Sequence, residues 1–515
     1  MISLPTLGLV PLDDRPCNRL FPVQLAPAAG WEVSIPPRES LGWFTEPGDC
    51  HAIADWLRKS ASGRLVISLD MLCYGGLVNS RSPAVQLDLA MRRLHTLRSL
   101  RRDRPDLLIY AFSLITRLGT TVASAADLEI HELLRAYSQL VDRVERLAEQ
   151  EARTELDAIS ARLDPSVLAS YLEVRRRNHA INRAAIQLVA DGVVDYLVLA
   201  QEDAAPVGLH VPEQLALRHQ AAEFRVNDRA SIHPGADEAG LILTARHCLS
   251  AGERPLGIAV DYATDAGADI IPQFESQPLR ETVESQILAA GARPVVPREA
   301  DAILFVHTPR ERQRDITEAP PLGETPSLSL QAESMAERIR AAKAAGRPLG
   351  LADVAYCNGA DPELIAALAK AGAARHLHAF AAWNTAANTA GTVVSQLCLE
   401  ATGDRAEPPR PRAASARFLA SRLVDDYGYQ SQVRQRAIAR AEAARADPYA
   451  LGGAWAELEQ YVSAELEPLA HSIYSELLAG PEHGPLGEVV ISLPWRRLFE
   501  VEVELTRYEE SKNLL

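Results

Sequence analysis

Short, largely apolar runs rich in Val, Ile and Leu recur along most of this chain, each followed by a polar loop and usually by a helical pattern. They are Leu7–Val10, Glu32–Ile35, Leu65–Leu69, Leu107–Phe112, Tyr196–Ala200, Ala230–Ile232, Leu256–Val260, Ile303–Val306, Leu349–Ala352 and His378–Ala382. Successive residues of a strand point to opposite faces, so a continuous apolar run is suited to a parallel sheet buried on both sides by helices. Strand–helix alternation of this extent fits either a (β/α)8-type barrel or a doubly wound parallel sheet. No GxGxxG or GxxxxGK[ST] loop follows any run, which removes the usual nucleotide-binding signatures. The barrel is therefore the expected architecture and the doubly wound sheet its alternative. Because the runs outnumber the strands of a barrel, one or two are expected to be edge strands or not strands at all.

Between the runs, apolar residues at three- and four-residue spacing predict helices. Two long ones follow each other, from about Ala125 to Asp164 and then over Pro165–Asp191, and read as a helical excursion from the sheet over about 125–191. The segment 403–412, GDRAEPPRPR, reads as a linker, because its prolines cannot continue a helix. It separates an α/β catalytic domain, 1–402, from a mostly helical region, 413–515, with one or two strands between Glu488 and Thr506. That last region is expected to act as a lid or as a contact with a second copy of the chain.

Charge narrows the partners. With 53 Lys and Arg against 68 Asp and Glu the net charge is −15. Such a surface repels phosphate backbones and anionic lipid, so neither nucleic acid nor a membrane is expected as a partner. No window of about 18 apolar residues occurs. The six cysteines are scattered without CxxC or zinc-ligand spacing, as reduced thiols are. The stretch Met1–Asp14 has no basic residue before its apolar part and reaches Asp13 too early for a signal peptide, so a cytoplasmic enzyme is expected.

In both architectures ligands bind beyond the carboxyl ends of the strands. The first run delivers Asp13, Asp14 and Arg15 there, either to hold a polar ligand or as a salt-bridged turn. The third delivers Asp70 before Gly75-Gly76, where it binds hydroxyls or caps the turn. On the second long helix Arg175, Asn178 and Asn182 share one face, which is either a solvated stripe or one turned to substrate. Gln201-Glu202-Asp203 directly after an apolar run is costly unless those groups meet solvent, ligand or countercharge, so Glu202 and Asp203 are expected to line the pocket. Later strand ends contribute Asp261, Glu275, and Trp383 beside Asn384, an aromatic face with amides that suits a sugar.

The strongest candidate for chemistry is Ser231-Ile232-His233-Pro234-Gly235-Ala236-Asp237-Glu238-Ala239-Gly240. A strand brings His233 and then two adjacent carboxylates to the start of a helix. A carboxylate near a helix N-terminus is favoured as the anion, and that charge helps its neighbour keep a proton. Such a pair divides into an orienting base and a general acid. The structural alternative makes Asp237 an N-cap and Glu238 an ordinary first-turn acid.

Six ordered motifs, VPLDDRPCN, SLDMLCYGGLVNSR, RRRNHAIN, QEDAAPVG, PGADEAG and WNTAANTAGT, resemble the bacterial family catalogued as domain of unknown function 4127, over most of the chain to about Thr392. That family name carries no activity. A narrower resemblance does. IHPGADEAG looks like the strand-end G-x-D-E motif of the family 20 β-N-acetylhexosaminidases, with Ala236 where glycine is usual. In that family the Glu is the general acid/base and the preceding Asp orients the substrate's 2-acetamido group, whose carbonyl oxygen is the nucleophile. The resemblance implies that Glu238 protonates the leaving oxygen, that Asp237 holds the acetamido N–H, and that no metal or cofactor is required. The leading expectation is thus a retaining, exo-acting β-N-acetylhexosaminidase with a small carbohydrate substrate. A metal-dependent hydrolase or lyase using His233, Asp237, His307 and Asp353 is the first alternative, and a non-catalytic carbohydrate-binding protein the second.

Overall fold

The apolar runs become strands because both of their faces are covered. In Leu65-Val66-Ile67 and in Leu197-Val198-Leu199, where neighbouring side chains point to opposite sides of the sheet, every residue is fully buried. Burying a side chain of this size contributes roughly 1.5–3 kcal/mol, so each such run favours folding strongly. A computed structural model describes residues 4–252, 254–406, 408–479 and 486–507.

The first sheet contains β1 (Thr6–Val10), β2 (Glu32–Ser34), β3 (Arg64–Ser68), β4 (Leu108–Ile115), β5 (Tyr196–Gln201) and β6 (Ala230–Pro234). All pairings are parallel and the order is β2-β1-β3-β4-β5-β6. Further along the chain come β7 (Gly257–Tyr262), β8 (Arg293–Pro294), β9 (Ala302–His307), β10 (Arg314–Asp315), β11 (Leu349–Asp353), β12 (Tyr356–Cys357) and β13 (Ala379–Ala381). Five of these make a second parallel sheet in the order β13-β11-β9-β7-β8, while β10 pairs with β12. Each of the ten runs singled out in the sequence is a strand.

The α/β class with parallel sheets is as expected, but among the described residues no sheet closes into a barrel. The strand order gives the reason. In each sheet the second strand lies on one side of the first and the third strand on the other, as β2-β1-β3 and β8-β7-β9. The winding direction therefore reverses, whereas a barrel requires every crossover to step the same way round. The result is the doubly wound alternative, twice, with a switch point between β1 and β3 and another between β7 and β9.

The chain forms two compact units, Met1–Val23 with Trp31–Thr244 and Phe274–Gln277, and Gln24–Gly30 with Ala245–Gln273 and Pro278–Leu515. Each unit contains one of the large sheets. In the first, helices Asp127–Glu145, Arg153–Arg162 and Pro165–Ala190 fill the stretch between β4 and β5. The second also holds the C-terminal helices and an antiparallel pair, β14 (Leu486–Ser492) with β15 (Glu502–Arg507). There Val424, Tyr429, Leu458, Val462 and Leu466 pack with Val489, Ile491 and Val503 into a core of their own. Glu407 of the expected linker and residues 480–485 and 508–515 of the expected C-terminal region lie outside the described residues.

Candidate active site on the rim of the six-stranded sheet

Strand β1 ends at the switch point, and the chain leaves it through Pro11-Leu12-Asp13-Asp14-Arg15. Strand β6 is the far edge of the same sheet, yet its tail returns to β1. Gly235, at φ +146°, turns the chain after Pro234 and donates its N–H to the Gln201 carbonyl (3.0 Å). The helix Ala239–Leu249 then begins over the sheet, so that a Cβ on Gly240 would touch Leu9 of β1 and Phe112 of β4 at 3.7 Å. This crossing carries Asp237 to Arg15.

Arg15 is the hub. Its Nη2 and Nη1 donate to Asp237 Oδ1 and Oδ2 (2.5 and 3.1 Å), while Nε and Nη2 donate to Asp13 Oδ2 (3.0 and 2.7 Å). Asn18 Nδ2 bridges the same two carboxylates, reaching Asp13 Oδ1 at 2.9 Å and Asp237 Oδ1 at 3.1 Å. All of these side chains are buried. Burial works against the guanidinium charge, but Asp13 and Asp237 more than offset it and hold Arg15 protonated. Burial also pushes the Asp13 carboxyl above its usual range, against the opposing pull of Arg15. Asp14, equally buried, has Arg38 Nη2 at 3.6 Å. Glu238, next to Asp237, immediately precedes the helix, and its Oε2 accepts the Ala236 N–H at 2.9 Å. It is 1% exposed.

A second ionic group adjoins the first. Glu202, just past β5, pairs with Arg81 and lies 3.8 Å from Arg117, which also pairs with Asp203. Asp203 has φ +34°, an unfavourable backbone for a residue other than glycine, and the turn it makes keeps both acids at the rim. Burial raises Glu202 above the ordinary carboxylate range, opposed by Arg81 and Arg117. Asp237 interacts electrostatically with both Arg117 and Glu202, so the two groups form one charge cluster. Within it five acids, Asp13, Asp14, Glu202, Asp203 and Asp237, stand against four arginines, Arg15, Arg38, Arg81 and Arg117. The surplus is negative.

Beside Arg81 a cavity of about 350 Å³ opens in the same unit, with Thr116, Thr120, Ser166, Ser170 and Tyr171 among its walls. Hydroxyls dominate its polar lining, and Ile130, Leu134, Val167 and Val174 supply apolar surface.

The other residues singled out in the sequence sit as follows. Asp70 lies beneath the rim, its Oδ2 accepting the Leu114 N–H at 2.9 Å, and burial pushes its carboxyl up to about 7. His233 is buried in β6, and burial lowers it to about 4, so its ring is neutral. Its Nε2 has no hydrogen-bond partner among the described residues. Asn178 gives its amide to the Ser80 carbonyl and the Thr116 hydroxyl and accepts from Arg177. Arg175 and Asn182 do share its helix face, and they hold the carbonyls of Thr116, Arg117 and Leu114. That polar stripe clamps the loop that presents Arg117. Glu275 reaches this unit because the Phe274 carbonyl accepts the Ala204 N–H at 2.7 Å.

Asp261, Trp383 and Asn384 belong to the second unit. Asp261, at the end of β7, pairs with Arg338 at 2.5 Å. The Trp383 indole donates to Thr392 Oγ1 at 3.1 Å, and Asn384, at φ +51°, donates to Asn388 Oδ1 at 2.8 Å. Nearby strand ends carry His307, whose Nε2 lies 2.9 Å from Asp361 Oδ2, and Asp353, which accepts the Asp361 N–H at 2.7 Å. Among the described residues no three His, Cys, Asp or Glu side chains are grouped as a metal site would need.

Arg81 and Arg117 were not singled out in the sequence. Arg117 could have been, since β4 runs to Ile115, three residues beyond the apolar run, which makes Thr116-Arg117 a strand end like the others.

A family model described as a protein of unknown function (DUF4127) matches residues 7–504. No curated protein and no solved structure matches the chain.

Proposed function

We propose that the chain, which belongs to the DUF4127 family over nearly its whole length, is a glycoside hydrolase, an exo-acting β-N-acetylhexosaminidase, a reading that rests on its site because the family carries no activity. The observation that carries this reading is the clamp of Arg15 and Asn18 on Asp237, immediately before Glu238 and at the carboxyl rim of the sheet. An orienting carboxylate must be both charged and fixed. Arg15 supplies the charge partner, and two contacts on Oδ1 with one on Oδ2 fix the plane of the group. A carboxylate oxygen accepts about two hydrogen bonds, so Oδ2 retains capacity for an acetamido N–H.

In the first step Glu238 gives its proton to the glycosidic oxygen as the bond from that oxygen to C1 breaks. The acetamido carbonyl oxygen forms the new bond to C1, making an oxazoline-type ring whose N–H is held by Asp237. Water then adds to C1, its proton passes to Glu238, the ring reopens, and the configuration at C1 is retained. The negative surplus of the rim favours this chemistry, since positive charge develops on the sugar in the transition state and prearranged opposite charge stabilises it. A hydroxyl-lined cavity in the same unit, whose walls include Arg81 but neither Asp237 nor Glu238, lies within the usual ~300–1,000 Å³ of small-molecule sites and offers donors and acceptors that suit a sugar.

The test is release of p-nitrophenol from p-nitrophenyl β-N-acetylglucosaminide and β-N-acetylgalactosaminide. Turnover of either supports the reading. Absence of turnover on both and across a broad glycoside panel overturns it, and sugar binding without turnover would mark a carbohydrate-binding protein instead.

A further inference from the structure

The second unit contains a cleft that the proposed hydrolysis does not use. It has a volume of about 730 Å³ and lies where β11 and β13 begin, the end of the sheet opposite the strand ends that usually bind substrate. Leu349 opens β11 and His378 directly precedes β13, and both line it.

The lining is cationic. Lys343, Arg347, Arg375 and Arg412 face the acids Glu400 and Asp404. Glu400 is 3% exposed and already engaged by Arg412 and Ser415. Arg347 is anchored at the rim by donating Nη1 to the Pro297 carbonyl at 2.5 Å. Lys343 and Arg375, both exposed, have no ion pair among the described residues. Within the cleft the four cations outnumber the two acids, one of which Arg412 already engages. The first turn of helix Ala413–Arg422 also borders the cleft, through Ala413, Ser415 and Ala416.

We propose that this cleft binds a small molecule bearing a phosphate group. Arginine presents a planar fork that matches phosphate oxygens, and lysine adds a mobile point charge. The volume exceeds that of a single phosphate and leaves room for an organic body, as pockets for small ligands of a few hundred Å³ do. The site is independent of the glycosidase reading, because its test measures binding and not turnover.

The experiment is calorimetric titration of the full chain with inorganic phosphate, inorganic pyrophosphate and a hexose 6-phosphate, each against sodium chloride at matched ionic strength. The Lys343→Ala/Arg375→Ala double variant is titrated in parallel. One phosphate compound per chain is expected to bind, at least tenfold more weakly in the variant, whose unliganded melting temperature stays that of the parent. Tighter binding of the hexose phosphate than of the inorganic ions identifies a sugar ester as the ligand, and equal binding identifies the free anion. Binding equal in the variant and the parent, binding no stronger than ionic strength explains, or no binding at all, overturns the proposal.

Discussion

Arg15 and Asp237 are 222 positions apart in the chain and are joined by two hydrogen bonds, Nη2 to Oδ1 at 2.5 Å and Nη1 to Oδ2 at 3.1 Å. The contact connects the strand at the switch point with the tail of the edge strand, and the same guanidinium also holds Asp13. One guanidinium therefore pairs with two buried carboxylates that come from distant segments of the unit.

Removing that cation should be expensive. Arg15→Met leaves Asp13 and Asp237 buried against each other without a countercharge, and breaking a buried ion pair from one side costs about 3–5 kcal/mol. A large fall in the urea midpoint is expected, together with loss of activity. An unchanged midpoint would mean that the clamp is not part of the folded rim.

Asp70 should make stability depend on pH. Burial raises its carboxyl from 3.8 to about 7. Between those values the folded chain keeps a proton there that the unfolded chain has released, so stability falls as pH rises through this window and the full loss remains above it. Asp70→Asn still accepts the Leu114 N–H but never ionises. Relative to the parent it should gain stability at pH 8, by up to about 4 kcal/mol, and little at pH 4. Thermal melts at the two pH values check this, and a difference independent of pH would contradict it.

His233 works in the opposite direction. Burial lowers it from 6.5 to about 4, so the unfolded chain binds the extra proton between these values and stability falls as pH drops through them. His233→Gln should flatten that part of the stability profile, and a variant profile parallel to the parent's would show that the ring titrates normally.

Ser170 lines the hydroxyl-rich cavity and is only half-buried. Ser170→Phe places a ring in that space without removing any member of the ionic cluster. KM for the p-nitrophenyl substrate should rise on the order of tenfold at nearly constant kcat, the signature of lost uniform binding. A fall in kcat with unchanged KM would place the sugar elsewhere.

Much of the scaffold was legible because burial on both faces leaves a signal, short continuous apolar runs that alternate with helical patterns. The two-residue strands β8, β10 and β12 are too short to show it. Sheet closure was not legible, since barrel and open sheet share the same strand–helix alternation and differ only in which neighbours pair. Asp13, Asp14, Arg15, Glu202, Asp203 and Asp237 were found at strand ends by position alone. The contact between Arg15 and Asp237 was hidden, because it depends on the chain after β6 crossing back over the sheet to Leu9 and Phe112. Asn178 illustrates the reverse case. Its helix face was evident from spacing, but whether that face meets a ligand or a neighbouring loop is decided by packing, and here it meets Ser80 and Thr116.

The most direct measurement is the rate of p-nitrophenyl and of alkyl β-N-acetylhexosaminide hydrolysis by Glu238→Gln beside the parent chain. A general acid contributes roughly 10²–10⁴-fold, most where the leaving group is poor. The variant should lose at least 10²-fold on the alkyl glycoside and less on the p-nitrophenyl one, at an unchanged melting temperature. Full activity of Glu238→Gln on both substrates would contradict the assignment of the rim as the catalytic site.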